Sequence, residues 1–210
     1  MPNPFPADYF RKQDTSDDEL FYQVARKVVH IDEGAIHALR EQFAQLLPAN
    51  GAWLDLMASW RSHLPDTLKP SSVVGLGMNA EEMRDNPALT SYVVQNLNKN
   101  PVLPFDDHAF DAAFCTVSVQ YLQRPVDVFA QVHRVLKPGG MFIVSFSNRC
   151  FPTKAVAVWT ATSDSQHIAL VSRYFEESAA WQDLNAIRKE ASRGWFSAAD
   201  PLYIVHARKA

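Results

Sequence analysis

Apolar residues in this chain change their spacing near residue 50. Before it they recur every three to four positions: Leu20, Val24 and Val28, then Ile36, Leu39, Phe43, Leu46 and Leu47. A 3.6-residue period puts each set on one face of a helix. The pattern predicts helices over 17–29 and from Asp32 to Pro48. Ser16 and Glu19 stand at capping-box spacing for the first, and Asp32 can cap the second. After residue 50 short apolar runs take over: AWLDLM (52–57), SVVGLG (72–77), SYVVQN (91–96), FDAAFCTV (110–117) and MFIVSF (141–146). Several are apolar on both faces, as strands of a covered parallel sheet are.

The clearest helix between these runs is 125–137. Pro125 suits its first turn, Val126, Phe129, Val132 and Leu136 share a face, and Pro138, Gly139 and Gly140 follow it. Another helix is predicted over 164–180, with Ser163 and Gln166 at capping-box spacing. Two strand-like runs, 183–191 and 201–208, should pair antiparallel about a turn at Arg193–Gly194. Strands alternating with helices imply the α/β class, a doubly wound and mostly parallel sheet. Residues 1–50 read as a Pro-rich arm and a helical cap, and 51–210 as one compact α/β domain.

Composition narrows the function. The chain has 210 residues, 47% hydrophobic, with a net charge of -3. That balance argues against nucleic acid and anionic membrane surfaces as partners. Cys115 and Cys150 are its two cysteines, too few for a disulfide framework, so a reduced, cytoplasmic protein is expected. The seven histidines are scattered, and no metal site is expected. No signal-peptide pattern and no run of about 20 apolar residues is visible.

The stretch LPFDDHAFDAAFCTVSVQYLQRPVDVFAQVHRVLKPGGMFIVSFSN (103–148) resembles class I S-adenosylmethionine-dependent methyltransferases of the methyltransferase type 11 sort. The combination of LPF, an acidic turn, FD, a strand, a helix and RVLKPGGMFIVS carries the likeness. Extended outward, it covers about residues 50–148. The resemblance implies a Rossmann-like methyltransferase fold with one antiparallel strand near the C-terminus. It implies S-adenosylmethionine as cofactor and a small-molecule acceptor. Position by position, Asp55, Leu56, Met57 and Ser59 would form the methionine-end loop. Gly77, Met78 and Asn79 would face the ribose, and Asn96, Leu97 and Asn98 the adenine. Val117 and Ser118 would flank the sulfonium and the acceptor.

This sequence departs from the family in three ways. The loop after the first strand lacks the family's glycines; Met57, Ser59 and Arg61 stand there. The second strand ends in Gly77 where an acid is usual, so Asn79, Glu81 or Glu82 would have to substitute. The crossover from Ala58 to Ser71 holds Pro65 and Pro70, leaving room for a helical turn or two. A sulfonium prefers acids, carbonyls and aromatic faces, which Trp53 or Trp60 could offer.

Two other functions fit parts of the chain. A methyltransferase-fold protein that binds without turnover fits the missing glycines. A nicotinamide or flavin enzyme fits Gly75-x-Gly77-x-x-Ala80, although no acid stands about 20 residues further on. For catalysis the candidates are His30, Tyr22 and Tyr121, with His30 the best base by type. Asp32, Asn148 and Arg149 are secondary candidates. Cys115 reads as a buried small hydrophobe.

Overall fold

The computed structural model describes residues 4–189 and 200–210. Its frame is a seven-stranded sheet: β1 Ala52–Leu56, β2 Ser72–Gly77, β3 Ser91–Val94, β4 Phe110–Thr116, β5 Leu136–Phe146, β6 Trp181–Lys189 and β7 Leu202–Lys209. The strand order is β3-β2-β1-β4-β5-β7-β6. β7 runs antiparallel to both β5 and β6; the other pairings are parallel. The order reverses between β1 and β4, where open α/β sheets leave a crevice at the carboxyl ends of their strands. The predicted α/β class and the single reversed strand are both seen.

Alternate residues of the central strands β1, β2, β4 and β5 feed two cores. Leu54, Leu56, Leu76, Ala113, Cys115 and Val144 face one side, with α4 (Pro125–Val135) and α6 (Asp164–Ser178) packed there. Trp53, Val73, Phe114 and Ile143 face the other, covered by Ile36, Leu39 and Phe43 of α2 (Glu33–Leu46). The α6 capping bond predicted from sequence is present, with Ser163 N donating to Gln166 Oε1 at 2.9 Å. Asp32 caps α2, accepting from Ala35 N at 2.8 Å. Its carboxylate also accepts from Asp200 N at 2.7 Å while its own N–H donates to the Asp200 carboxylate at 3.0 Å, which ties α2 to the start of β7.

The N-terminal fifty residues depart from expectation. The helix predicted over 17–29 shrinks to α1 (Asp18–Tyr22), and Asp17 rather than Ser16 caps it. Leu20, Val24 and Val28 keep helical spacing yet stay 67%, 68% and 55% exposed. A short helix is marginal without a surface to bury its stripe on, and the backbone here is drawn into tertiary bonds instead. α2, expected in the cap, is a layer of the sheet: Phe43 sits 5.1 Å from Phe114, ring to ring. The arm is not loose either. Phe5 and Phe10 are buried, with Phe5 edge-on to Tyr174 of α6 at 5.4 Å.

Smaller differences follow local geometry. β5 begins at Leu136, directly after α4, and the Lys137–Gly140 turn is absorbed as a register shift opposite Phe110 and Ala112. β3 ends two residues early, and 58–71 holds no helix. Short helices at Ala80–Arg84 (α3) and Ala157–Thr160 (α5) complete the set. The turn expected at Arg193–Gly194 lies outside the described residues. No helix among them is long and apolar enough to cross a membrane.

Candidate active site

A cavity of about 540 Å³ opens over the carboxyl ends of β1, β2 and β4. That size suits a small organic ligand or cofactor. β1 delivers Asp55, Met57, Ala58 and Ser59; β2 delivers Leu76, Gly77, Met78 and Asn79; Asn96, Leu97 and Asn98 follow β3; Thr116, Val117 and Ser118 end β4. Tyr22, Arg26 and His30 of the N-terminal segment face them, with Tyr121 and Phe151.

The loop after β1 keeps a glycine-like path without glycine. Met57 holds φ at 60°, a left-handed conformation that strains any residue with a Cβ. The loop then crosses β2, with Ala58 N donating to Leu76 O at 2.9 Å. A Cβ on Gly77 would fall on the Ala58 carbonyl oxygen. No acid could therefore stand at the end of β2. The Gly75–Gly77 pair is explained by close packing, since a Cβ at Gly75 would meet the Leu89 side chain. Val117 is also left-handed, φ 45°, held by Val117 N to Ser145 O at 2.8 Å and Gln120 Nε2 to Val117 O at 2.9 Å.

Of the acids proposed to replace the missing one, Glu82 reaches the cavity. Its carboxylate accepts from Ser59 Oγ at 2.7 Å and from Arg26 N at 2.6 Å. Glu81 turns away to Lys27 at 2.8 Å. Asn79 caps α3, accepting from Glu82 N at 3.0 Å, and its amide donates to Tyr22 O and Gln23 O. Asp55 is buried, accepts from Ser62 Oγ at 2.5 Å, and is pushed up to about 7 by loss of water.

Several expectations need correction. Leu56 does not reach the cavity; it is fully buried in the core, because the strand's alternation turns it inward. Asn98 lines the cavity, but its amide is occupied: Nδ2 donates to Asp18 Oδ2 and Tyr121 O, both at 3.0 Å, and Oδ1 accepts from Gln123 N. Trp53 is a core residue. Trp60 lines the cavity but is a clasp, donating Nε1 to Val28 O at 2.9 Å with Arg61 stacked 3.9 Å over its ring.

The catalytic candidates do meet in one cavity. Burial lowers His30 below its ordinary value, so its imidazole is neutral at pH 7; its ring packs edge-on to Phe151 at 5.4 Å. Burial raises the Tyr22 phenol, and pushes Tyr121 up to about 12. Both phenols are hydrogen-bonding groups at neutral pH rather than bases. Tyr121 Oη accepts from Phe151 N at 2.8 Å. Asn148 and Arg149 also line the cavity, and Arg149 pairs with Asp200 at 3.3 Å.

Sequence reasoning missed Arg26, His63 and Thr116. The Thr116 hydroxyl is buried at the cavity without a hydrogen-bond partner among the described residues. An orphaned donor there calls for a polar ligand atom. Its signal was its place as the last residue of β4. Arg26 carried none, because the helical spacing around it is not realised.

A family model described as a methyltransferase domain matches residues 63–144. The chain is 24% identical over 143 residues to the malonyl-[acyl-carrier protein] O-methyltransferase of Marinomonas sp. (strain MWYL1), covering 63% of this chain and 52% of that one. The chain thus carries a stretch that matches the methyltransferase-domain family, and it is similar to class I S-adenosylmethionine-dependent methyltransferases. It spans about half, or less, of the length of the curated relatives it matches. In three dimensions it resembles the [4+2]-cyclase SpnF, with TM-score 0.62, 14% identity, and 87% and 88% of the two chains covered. It also resembles geranyl diphosphate C-methyltransferase from Streptomyces coelicolor A3(2), at TM-score 0.53, 14% identity and 90% and 88% coverage. At such identity these likenesses establish the fold alone, and the cyclase illustrates that a fold does not fix a reaction.

Proposed function

We propose that the cavity binds S-adenosylmethionine against the strand ends and transfers its methyl group to a small molecule held under the N-terminal segment. One observation carries this reading. Residues from the ends of β1, β2 and β4 and from the turn after β3 line a single cavity with the N-terminal segment. Asp55, Met57, Ser59 and Thr116 would hold the methionine end. Gly77, Met78, Asn79 and Glu82 would face the ribose, and Asn96 and Leu97 the adenine. Val117 and Ser118 would lie between cofactor and acceptor. The cofactor, when bound, supplies an electrophilic methyl on a sulfonium. The protein's share is to fix the acceptor close to it and keep water out. Where an acceptor must lose a proton, neutral His30 is the group placed to take it.

Calorimetric titration with S-adenosylmethionine and S-adenosylhomocysteine, with NADH as control, tests this. Micromolar binding of the first two and none of NADH is expected. Asp55→Ala should weaken both far more than Asp106→Ala; equal, negligible effects would remove the site assignment. A second reading is a binding protein without turnover. The Trp60–Val28 clasp and the Arg61 stack favour it, since together they cover the β1 loop. Failure of both cofactors to bind at millimolar concentration selects it.

A further inference from the structure

Arg26 is a half-buried cation on the cavity wall without an acidic partner among the described residues. Its guanidinium lies 4.3 Å over the Phe21 ring and 5.9 Å from that of Phe151. Nη1 donates to Phe21 O at 2.7 Å and to Val24 O at 3.4 Å. It forms no ion pair among the described residues, and none of its bonds uses Nε or Nη2. The nearby acids are engaged elsewhere. Lys27, its neighbour, takes Glu81 at 2.8 Å and Asp85 at 2.7 Å. Glu82 already accepts the Arg26 backbone N–H and the Ser59 hydroxyl.

Glu82 adds one negative charge to the same cavity, but it meets the Arg26 backbone N–H rather than the guanidinium. Arg61 is stacked on Trp60 and bonded to carbonyls. Arg149 has Asp200, and Asp55 is turned to Ser62. A bound cofactor would add a sulfonium and an ammonium against one carboxylate. A partly desolvated arginine stacked on aromatic rings is a strong site for a planar anion, because its fork matches a carboxylate and charge-assisted bonds are worth more away from water.

We propose that the acceptor carries a carboxylate on an apolar body, and that Arg26 binds that carboxylate. Phe151, which lines the cavity, would flank the apolar part. This rests on the methyltransferase reading above for the word acceptor; the anion site itself does not. The proton chemistry of the cavity agrees. His30 is held neutral and both phenols stay protonated, with His63, also on the cavity wall, lowered to about 4. Such a wall suits a group that arrives already ionised.

The test uses three probes that share a ring and differ in charge: phenylacetate, phenethylamine and phenethyl alcohol. Each is titrated by ligand-observed NMR into the protein, with and without saturating S-adenosylhomocysteine. Phenylacetate should bind at least about tenfold more tightly than the other two. Arg26→Gln should erase that preference, Arg26→Lys should keep part of it, and both variants should bind S-adenosylhomocysteine as wild type does. Equal binding of the three probes, or binding of none, overturns the proposal. So does an Arg26→Gln variant that keeps the preference, or one whose main loss is S-adenosylhomocysteine affinity, which would give Arg26 to the cofactor. If S-adenosylhomocysteine fails to bind wild type, the methyltransferase reading falls, while the titrations without it still decide the anion site.

Discussion

The cavity wall at the strand ends grows from residues with no exposed surface: Trp53, Leu54, Leu56, Leu76 and Phe114. The wall facing it, residues 20–30, shows Leu20, Val24, Val28 and Val29 to solvent. It is fastened by polar contacts instead. Asn79 and Glu82 hold its backbone, Trp60 holds Val28 O, and a buried charge cluster anchors α1. In that cluster Asp18 sits 2.6 Å from Lys12 and 3.4 Å from Lys154, and Lys154, wholly buried, also reaches Asp14 at 3.1 Å. Burial of strand residues ties the first wall to global stability. Polar fastening lets the second open locally while the sheet stays folded. Such a division would let ligands in without unfolding the site that receives them.

The largest effect should come from the sheet side. Phe43 is fully buried against Phe114, and Phe43→Ala should lower unfolding free energy by about 3–5 kcal/mol in a urea titration. A loss below about 1 kcal/mol would mean that α2 is not a layer of the sheet and would dissolve the comparison.

Asp55 tests the floor of the cavity. Its carboxyl is raised from 3.8 to about 7 in the folded state, so the native protein holds a proton that the unfolded chain has lost. Stability attributable to Asp55 is therefore fully present below about pH 4 and disappears as pH rises to about 7. His63, lowered to about 4, works the opposite way, adding stability as pH rises from 4 to 6.5. The difference between wild type and Asp55→Asn isolates the carboxyl. That variant should gain on the order of 3 kcal/mol relative to wild type between pH 4.5 and 8. A difference that does not change with pH would place Asp55 in contact with water.

On the other wall, Asp18→Asn should leave two buried lysines short of a charge and cost about 2 kcal/mol. The cost should appear as faster amide exchange confined to residues 5–30, with β1 and β4 still protected. Uniform loss of protection across the sheet would show that the two walls unfold as one.

The same contrast explains what could be read from sequence. Alternation and apolar runs report burial, so β1, β2, β4 and the crevice beyond them were legible, as were the caps at Asp32 and Ser163. The helical spacing of Leu20, Val24 and Val28 misled, because spacing predicts a helix only where a surface waits to bury its face. Arg26 and the Trp60 clasp depend on contacts between residues about thirty or more apart, such as Arg26 N with Glu82 and Trp60 with Val28. No local pattern encodes these. Leu56 shows the reverse: a motif position does not specify which way the strand turns its side chain, and here it turns into the core.

The smallest effect concerns the missing glycines. Met57 stands at the first of those positions and adopts the backbone conformation glycine favours. If the path is imposed by Ala58 N bonding Leu76 O and by the close approach to Gly77, glycine should fit it better. Relief of the left-handed strain, about 1–2 kcal/mol, would be partly offset by the greater freedom of glycine in the unfolded chain, about 0.5–1 kcal/mol. Met57→Gly should then raise the melting temperature by about 1–3 °C. Met57→Val should lower it, because a β-branched residue tolerates this region least. If glycine instead destabilises, the methionine side chain contributes more to the cavity wall than its backbone loses. The loop would then be a rebuilt wall rather than a glycine loop under strain, and the fixed character assigned to the sheet side would rest on that side chain.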